Sequence, residues 1–375
     1  MPAKTLEASE CLGNTTIINE QLYHQNPSDQ GSLGICYAHS VANIYASVYQ
    51  QNYGEFIFPS PLMLSIYSGM KGYKSSPFKS APLHKKIYYL APIVGWKTYL
   101  FDKYYSKKKG IVERVTGGLF NEAFADAVST SPCSIESIEW FLDIQNGSLP
   151  TKKSLKLFYE YIKYLKEIRS NLIQQEDLCS NLLEHYMQEK GFVLNYEILE
   201  KFTAIKNYIE QYGFVNSQVT GKTYIKRTFA NFLLQRCKEF NSGREFGRFK
   251  YKIDSYYSLL YGHKNLIGKL EQHFTHSKSL PVELGYCYGY LTDREECGYH
   301  SSVIYGKTCF QNKTYFLVRN SWGGKSLRES FFEPGSDHSR KGDYWISTNE
   351  LKKSWTRGLG ELNFVRNLGP KIGSS

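Results

Sequence analysis

From Cys36 onward the apolar positions fall at helical spacing: Tyr37, Val41, Ile44 and Val48 stand four, three and four residues apart. This predicts a helix running to about Gln51 with one buried stripe. The residues before it read as loop, because Pro27, Gly31 and Gly34 interrupt any period. Cys36 therefore stands at the first turn of a core helix. Pro59, Pro61, Pro77 and Pro82 mark a long irregular stretch, after which Ala123, Phe124 and Val128 line one side of a second helix over 121–129. The texture changes again over 152–214. Leu155, Phe158, Ile162, Leu165 and Ile168 recur at three and four, as do Ile198, Phe202, Ile205 and Ile209. Two or three amphipathic helices with charged outer faces fit this pattern. They read as a helical insertion packed on a parent fold, with a partner-binding or substrate-gating module as the alternative.

Beyond Pro281 the period becomes two. Val282, Leu284, Tyr286, Tyr288 and Tyr290 alternate with small or polar residues, which predicts a half-buried strand. Apolar runs at 301–305 and 315–319 then form an antiparallel hairpin. A turn centred near Phe310 sets His300 opposite Asn320, so strand register alone brings an imidazole to a carboxamide that fixes its tautomer. At the other end of the chain, a thiol at a helix N-terminus meets the positive end of the macrodipole and unsatisfied N–H groups. Both favour thiolate and are expected to lower the pKa of Cys36. An imidazolium from His300 would lower it further and make the pair a ready nucleophile.

Length and composition narrow the setting. A chain of 375 residues exceeds what one core usually supports. Its longest uncharged apolar stretch, 87–96, is far short of the roughly 20 residues of a bilayer span, so no membrane span is expected. Residues 1–16 hold no run resembling a signal peptide. The net charge of +11 favours acidic partners, yet no nucleic-acid motif accompanies it. The basic run at 107–109 reads as a solvated loop. His263, His273 and His276 lack metal-ligand spacing, so neither a metal nor a cofactor is expected. Eight cysteines allow two or three bridges in an oxidising compartment. The hairpin disfavours a Cys297–Cys309 pair, Cys287–Cys297 stays open, and Cys11, Cys133, Cys179 and Cys237 carry no evident motif.

The segment Gln30-Gly-Ser-Leu-Gly-Ile-Cys36-Tyr-Ala-His-Ser40 resembles the active-site segment of papain-like cysteine peptidases. Asn320-Ser-Trp-Gly323 resembles their asparagine motif, and His300 with Ser-Ser-Val-Ile-Tyr-Gly306 their histidine strand. Gly117-Gly118 with Ala123-Phe124 resembles the glycine-bearing wall of the cleft, and Gly342-Asp-Tyr-Trp-Ile346 a late strand. These pieces stand in the family's order. The resemblance implies Cys36 as nucleophile, His300 as general base and acid, Asn320 as the residue orienting the imidazole and Gln30 as an oxyanion donor. It also implies that Trp322 shields the His300–Asn320 contact, and that Gly117, Gly118, Ser301 and Trp322 border the substrate. Departures are Leu33, where secreted members commonly carry a cysteine, Tyr37 in place of a tryptophan, and a long 324–341 stretch. The Cys-to-His separation also exceeds the roughly 130–150 residues of papain-type enzymes.

The expected fold is α+β, papain-like, with two domains and a large helical insertion. Residues 1–20 form an N-terminal arm, 21–150 the helical half, 151–260 the insertion and 261–375 a β-rich, barrel-like half. The expected activity is hydrolysis of peptide bonds in a peptide or protein substrate through a thioester acyl-enzyme. A transamidase or peptide ligase of the same fold is one alternative. A catalytically silent binding protein that uses the insertion is another. The cysteines lean towards a secreted or extracytoplasmic setting, with any signal peptide absent from this chain.

Overall fold

The computed structural model describes residues 15–24, 30, 35–70, 120–129, 133–134, 151–171, 188, 196–214, 223–240, 248–276, 279–287, 289, 299–322, 343–357 and 360–371. Gly117, Gly118, Tyr288, Tyr290, Cys11, Cys179, Cys297 and the 324–341 stretch lie outside them. The fold mixes helices with one antiparallel sheet. Seven strands take part: β1 (Thr16–Ile17), β2 (Phe249–Tyr257), β3 (Val282–Cys287), β4 (Tyr299–Phe310), β5 (Lys313–Arg319), β6 (Asp343–Ser347) and β7 (Glu361–Pro370). Their order is β2-β7-β3-β4-β5-β6, with β1 paired to β4. Three strands were not foreseen individually, β7 among them. β1 draws the expected N-terminal arm into the sheet, and β2 makes the end of the expected helical insertion a strand.

The helices divide between the two faces. On one lie α1 (Glu20–His24), α2 (Cys36–Tyr53), α3 (Pro61–Met70), α4 (Phe120–Ser129), α5 (Thr151–Asn171), α6 (Tyr196–Tyr212) and α7 (Thr223–Phe240). Their apolar residues share one core with Val303, Tyr305, Leu317 and Trp345 of the sheet. The short α8 (Ser258–Tyr261) follows β2 directly, while α9 (His263–His273) and α10 (Thr348–Arg357) cover the opposite face. Leu266, Leu270 and Trp355 meet Val282, Leu284, Ile304 and Val318 there. The alternation of strand residues assigns each side chain to one core or the other.

Helix α2 departs from the expected single stripe, being buried from Tyr37 to Tyr49 on every side. It carries no charged residue, and Ala38, Ser40, Ala42, Ala46 and Ser47 let α3, α4 and the sheet approach closely. It ends at Gly54, whose left-handed φ of 74° lets its N–H cap the Gln50 carbonyl. β3 also differs from the half-buried strand expected, since all six of its residues are buried. It pairs with β4 on one edge and β7 on the other while helices cover both faces, so Glu283 lies inside the protein.

The β4–β5 hairpin turns at Gln311 and Asn312, both left-handed, one residue beyond the expected centre. A bulge between Ile304 and Gly306 shifts the register again, giving Val303↔Arg319. Gly306 is needed there, because a Cβ would stand 3.0 Å from the Leu317 Cβ and 3.2 Å from the Thr16 carbonyl. Carried one step on, this register sets Ser302, not His300, opposite Asn320. The two expected partners are diagonal neighbours, still within reach of a long side chain.

Helices α5, α6 and α7 pack on one another through aromatic rings. Phe158 stacks on Phe229 at 5.5 Å and tilts against Phe202 at 5.3 Å. Cys133 and Cys237, for which the sequence offers no motif, form a disulfide that ties α7 to the residues beside Pro59 and Ser60. Cys287 and Cys309 each take part in a disulfide as well, but not with one another, since Cys287 pairs with Tyr299 at the far end of β4 from Cys309. The first bridge closes a loop with a sequence separation of 104. Replacing both Cys133 and Cys237 by Ala is expected to remove about 2–5 kcal/mol of stability, read from urea denaturation. An unchanged midpoint would mean that aromatic packing alone holds the insertion.

Candidate active site

Three segments converge at the head of α2. Cys36 begins that helix, His300 is the second residue of β4, and Asn320 follows β5 directly. The diagonal offset left by the bulge suits the His300–Asn320 pair: His300 Nε2 lies 2.8 Å from Asn320 Oδ1. The Ser321 N–H also donates to that oxygen at 2.8 Å, which identifies it as the carbonyl end of the amide. His300 Nε2 is therefore the donor, and the basic lone pair lies on Nδ1. Trp322 tilts over the imidazole with ring centroids 4.4 Å apart, and Tyr286 meets it edge-on at 5.5 Å. Both His300 and Asn320 are buried.

Gln30 is fastened to the same turn. Its N–H donates to the Ser321 carbonyl at 2.7 Å, and Ser321 Oγ donates to Gln30 Oε1 at 2.6 Å. The carboxamide is thus held beside Asn320 by the residue that follows it. Among the described residues, Cys36 is the free cysteine, and its sulfur meets the backbone N–H groups of Ser301, Tyr37 and Cys36 itself. The contact from Ser301 joins the head of α2 to β4, one residue from His300.

The electrostatics reverse the expected lowering of the thiol. Burial of the sulfur pushes Cys36 up to about 11, and the charge of Glu283 adds to the rise, outweighing the three N–H groups. Burial likewise pushes His300 down to about 4, against its hydrogen bond to Asn320, which favours the charged form. The pair rests as neutral thiol and neutral imidazole. Loss of water around the two groups penalises both ions more than a helix terminus rewards one, although Cys36 stays partly exposed.

Ser301, expected at the substrate, instead turns inward. It is buried, with Oγ 2.8 Å from Ser40 Oγ and 2.7 Å from Glu283 Oε1. Ser40, Glu283 and Tyr286 were not singled out from the sequence. Glu283 sits at a strand position where alternation suggested a solvent face, and the continuous apolar character of its neighbours was the available signal. His273 Nε2 donates to the Leu280 carbonyl at 2.7 Å and the ring packs on Phe364. No group of three or more His, Cys, Asp or Glu among the described residues is arranged to hold a metal ion. No helix among them is long and apolar enough to cross a membrane.

No family model matches the chain, and no curated protein matches it. Among solved structures it is similar to the proform of the Amb a 11 cysteine protease, a major ragweed pollen allergen. That match has 10% sequence identity and a TM-score of 0.39, and covers 99% of this chain and 69% of the other. It is a distant likeness.

The buried imidazole has a measurable consequence. With a folded pKa of about 4 against the ordinary 6.5, the unfolded chain binds the proton that the folded one refuses. Stability contributed by neutral His300 is complete above pH 6.5 and is lost as pH falls towards 4, amounting to about 3 kcal/mol. An NMR titration is expected to place the His300 midpoint near 4, and His300→Gln to remove this part of the acid sensitivity. A midpoint near 6.5 would contradict the burial argument.

Proposed function

We propose that the chain is a cysteine peptidase in which Cys36, His300, Asn320 and Gln30 act together. The observation that carries this reading is the buried His300–Asn320 hydrogen bond, set on the strand whose Ser301 N–H meets the Cys36 sulfur. It fixes the tautomer in which Nδ1 accepts a proton, as a general base for a thiol requires.

Because thiol and imidazole rest neutral, the nucleophile forms during attack. Cys36 Sγ adds to the scissile carbonyl carbon while its proton passes to His300 Nδ1. The oxyanion takes hydrogen bonds from Gln30 Nε2 and an N–H at the head of α2, the end of the helix where such donors lack intrahelical partners. Collapse breaks the C–N bond, and His300 gives its proton to the departing amine. The thioester left on Cys36 is resolved by water, whose proton His300 accepts before returning it to sulfur. Asn320 keeps the ring in place throughout, and Trp322 covers the pair. Gly117 and Gly118 offer backbone to an extended substrate, whose occupation of the cleft is what brings the reacting groups out of their neutral rest. Residues 21–150 and 261–375 supply the two sides of the site, with α5, α6 and α7 packed on the helical side and β2 in the sheet. The disulfides support an oxidising compartment.

A peptide library and an epoxysuccinyl thiol-directed inhibitor, offered to the wild type and to Cys36→Ala, test the reading. Cleavage and labelling are both expected to vanish in the variant. His300→Ala is expected to lose about 10²–10⁴-fold in kcat/KM. A wild type that neither cleaves nor takes the label would overturn the reading.

A further inference from the structure

Glu283 is a carboxylate inside the protein, 1% exposed, on a central strand that runs beneath α2. Its two oxygens have different tasks. Oε1 accepts from Ser301 Oγ at 2.7 Å, and Oε2 accepts from Asn363 Nδ2 at 2.6 Å. A carboxylate only accepts, so the single Ser301 hydroxyl proton goes to Glu283 and the Ser40 hydroxyl completes the 2.8 Å contact to Ser301 from α2. On the other side Asn363 also donates to Glu361 at 3.1 Å and accepts from Ser255 at 2.5 Å. Ser255 in turn accepts from Asn121 of α4 at 3.1 Å. A continuous line of hydrogen bonds therefore crosses from α2 through β4, β3, β7 and β2 to α4, with Glu283 at its centre.

The line passes through the residue that touches the nucleophile. Ser301 presents its side chain to Glu283 and Ser40 and its N–H to the Cys36 sulfur, one residue along the strand from His300. We propose that Glu283 is a positioning residue of the site: by clamping Ser301 between β3 and α2, it sets where the Cys36 sulfur stands relative to β4. This rests on the peptidase reading for its purpose, but not for its geometry. From β3 both Glu283 and Tyr286 act at the site, Glu283 on the thiol and the thiol on Tyr286. From β4 come His300 and the Ser301 N–H. The remaining elements packed against α2, namely α3, α4 and β7, bring no charge that acts on the thiol among the described residues.

Two variants of the full chain separate clamp from charge. Glu283→Ala removes the clamp and is expected to lower kcat/KM by about 10²-fold, the cost of a misplaced reacting group. Glu283→Gln keeps an acceptor for Ser301 and is expected to restore most of that loss while removing the charge. Alkylation of Cys36 by iodoacetamide, followed across pH by mass spectrometry of its peptide, then reads the thiol directly. Loss of the Ser301 anchor in the Ala variant is expected to change the labelling rate, and the Gln variant is expected to recover it, with its profile moved to lower pH by the lost charge. An Ala labelling profile that coincides with the wild type overturns the proposal. So does a folded Ala variant with wild-type turnover, or failure of both variants to fold, which would make Glu283 a requirement of the fold instead. If the wild type cleaves no peptide, the alkylation profiles still decide the role of Glu283, and only the peptidase reading falls.

Discussion

Helix α2 is buried along almost its whole length, and that burial constrains what surrounds it. A helix enclosed by α3, α4 and a sheet exposes few of its polar groups to water, so most of them find partners in the protein, the Asn43 Oδ1 being an exception. Asn43 donates to the His39 carbonyl, Ser47 to the Asn43 carbonyl, and Ser40 to the Ser301–Glu283 pair. The first two lie within the helix, and the Ser40 bond ties it to the sheet. The thiol at its head is placed by the same packing, with the Ser301 N–H of β4 against the sulfur.

The electrostatic character of the site follows from that enclosure. Removing water from Cys36 and His300 raises one pKa and lowers the other, so neither ion exists at rest. The neighbouring Arg319–Asp343 pair behaves differently. Its guanidinium makes two hydrogen bonds to the carboxylate, at 3.1 and 3.0 Å, and Tyr305 adds a third at 2.7 Å. A buried ion pair persists where several donors saturate the acceptor. Cys36 and His300 lack that degree of saturation, and burial favours the neutral form of each.

Much of this was legible in the sequence because it depends on local period. The start of α2, the β4–β5 hairpin and the nearness of His300 to Asn320 follow from spacing alone. The bulge at Gly306 was not legible, since it arises where β1, a strand of two residues, crosses β4. Burial of β3 on both faces depends on β7 and on helices far away in sequence, so Glu283 looked solvent-facing. Ser301 was placed by resemblance at the substrate, and only the depth of Ser40 beneath it shows that its hydroxyl turns inward. The Cys133–Cys237 bridge joins segments whose approach is decided by aromatic packing among α5, α6 and α7, for which cysteine spacing gives no sign.

The central claim is that the Cys36 sulfur is the atom that takes the acyl group, with neutral His300 as its base. Rapid quenching of the protein with a peptide ester, followed by tandem mass spectrometry, locates that group directly. The acyl mass is expected on the Cys36 peptide, accumulating in the wild type and absent from His300→Ala on the same timescale. An acyl group found on any other residue, or equal acylation of Cys36 without His300, would contradict the account.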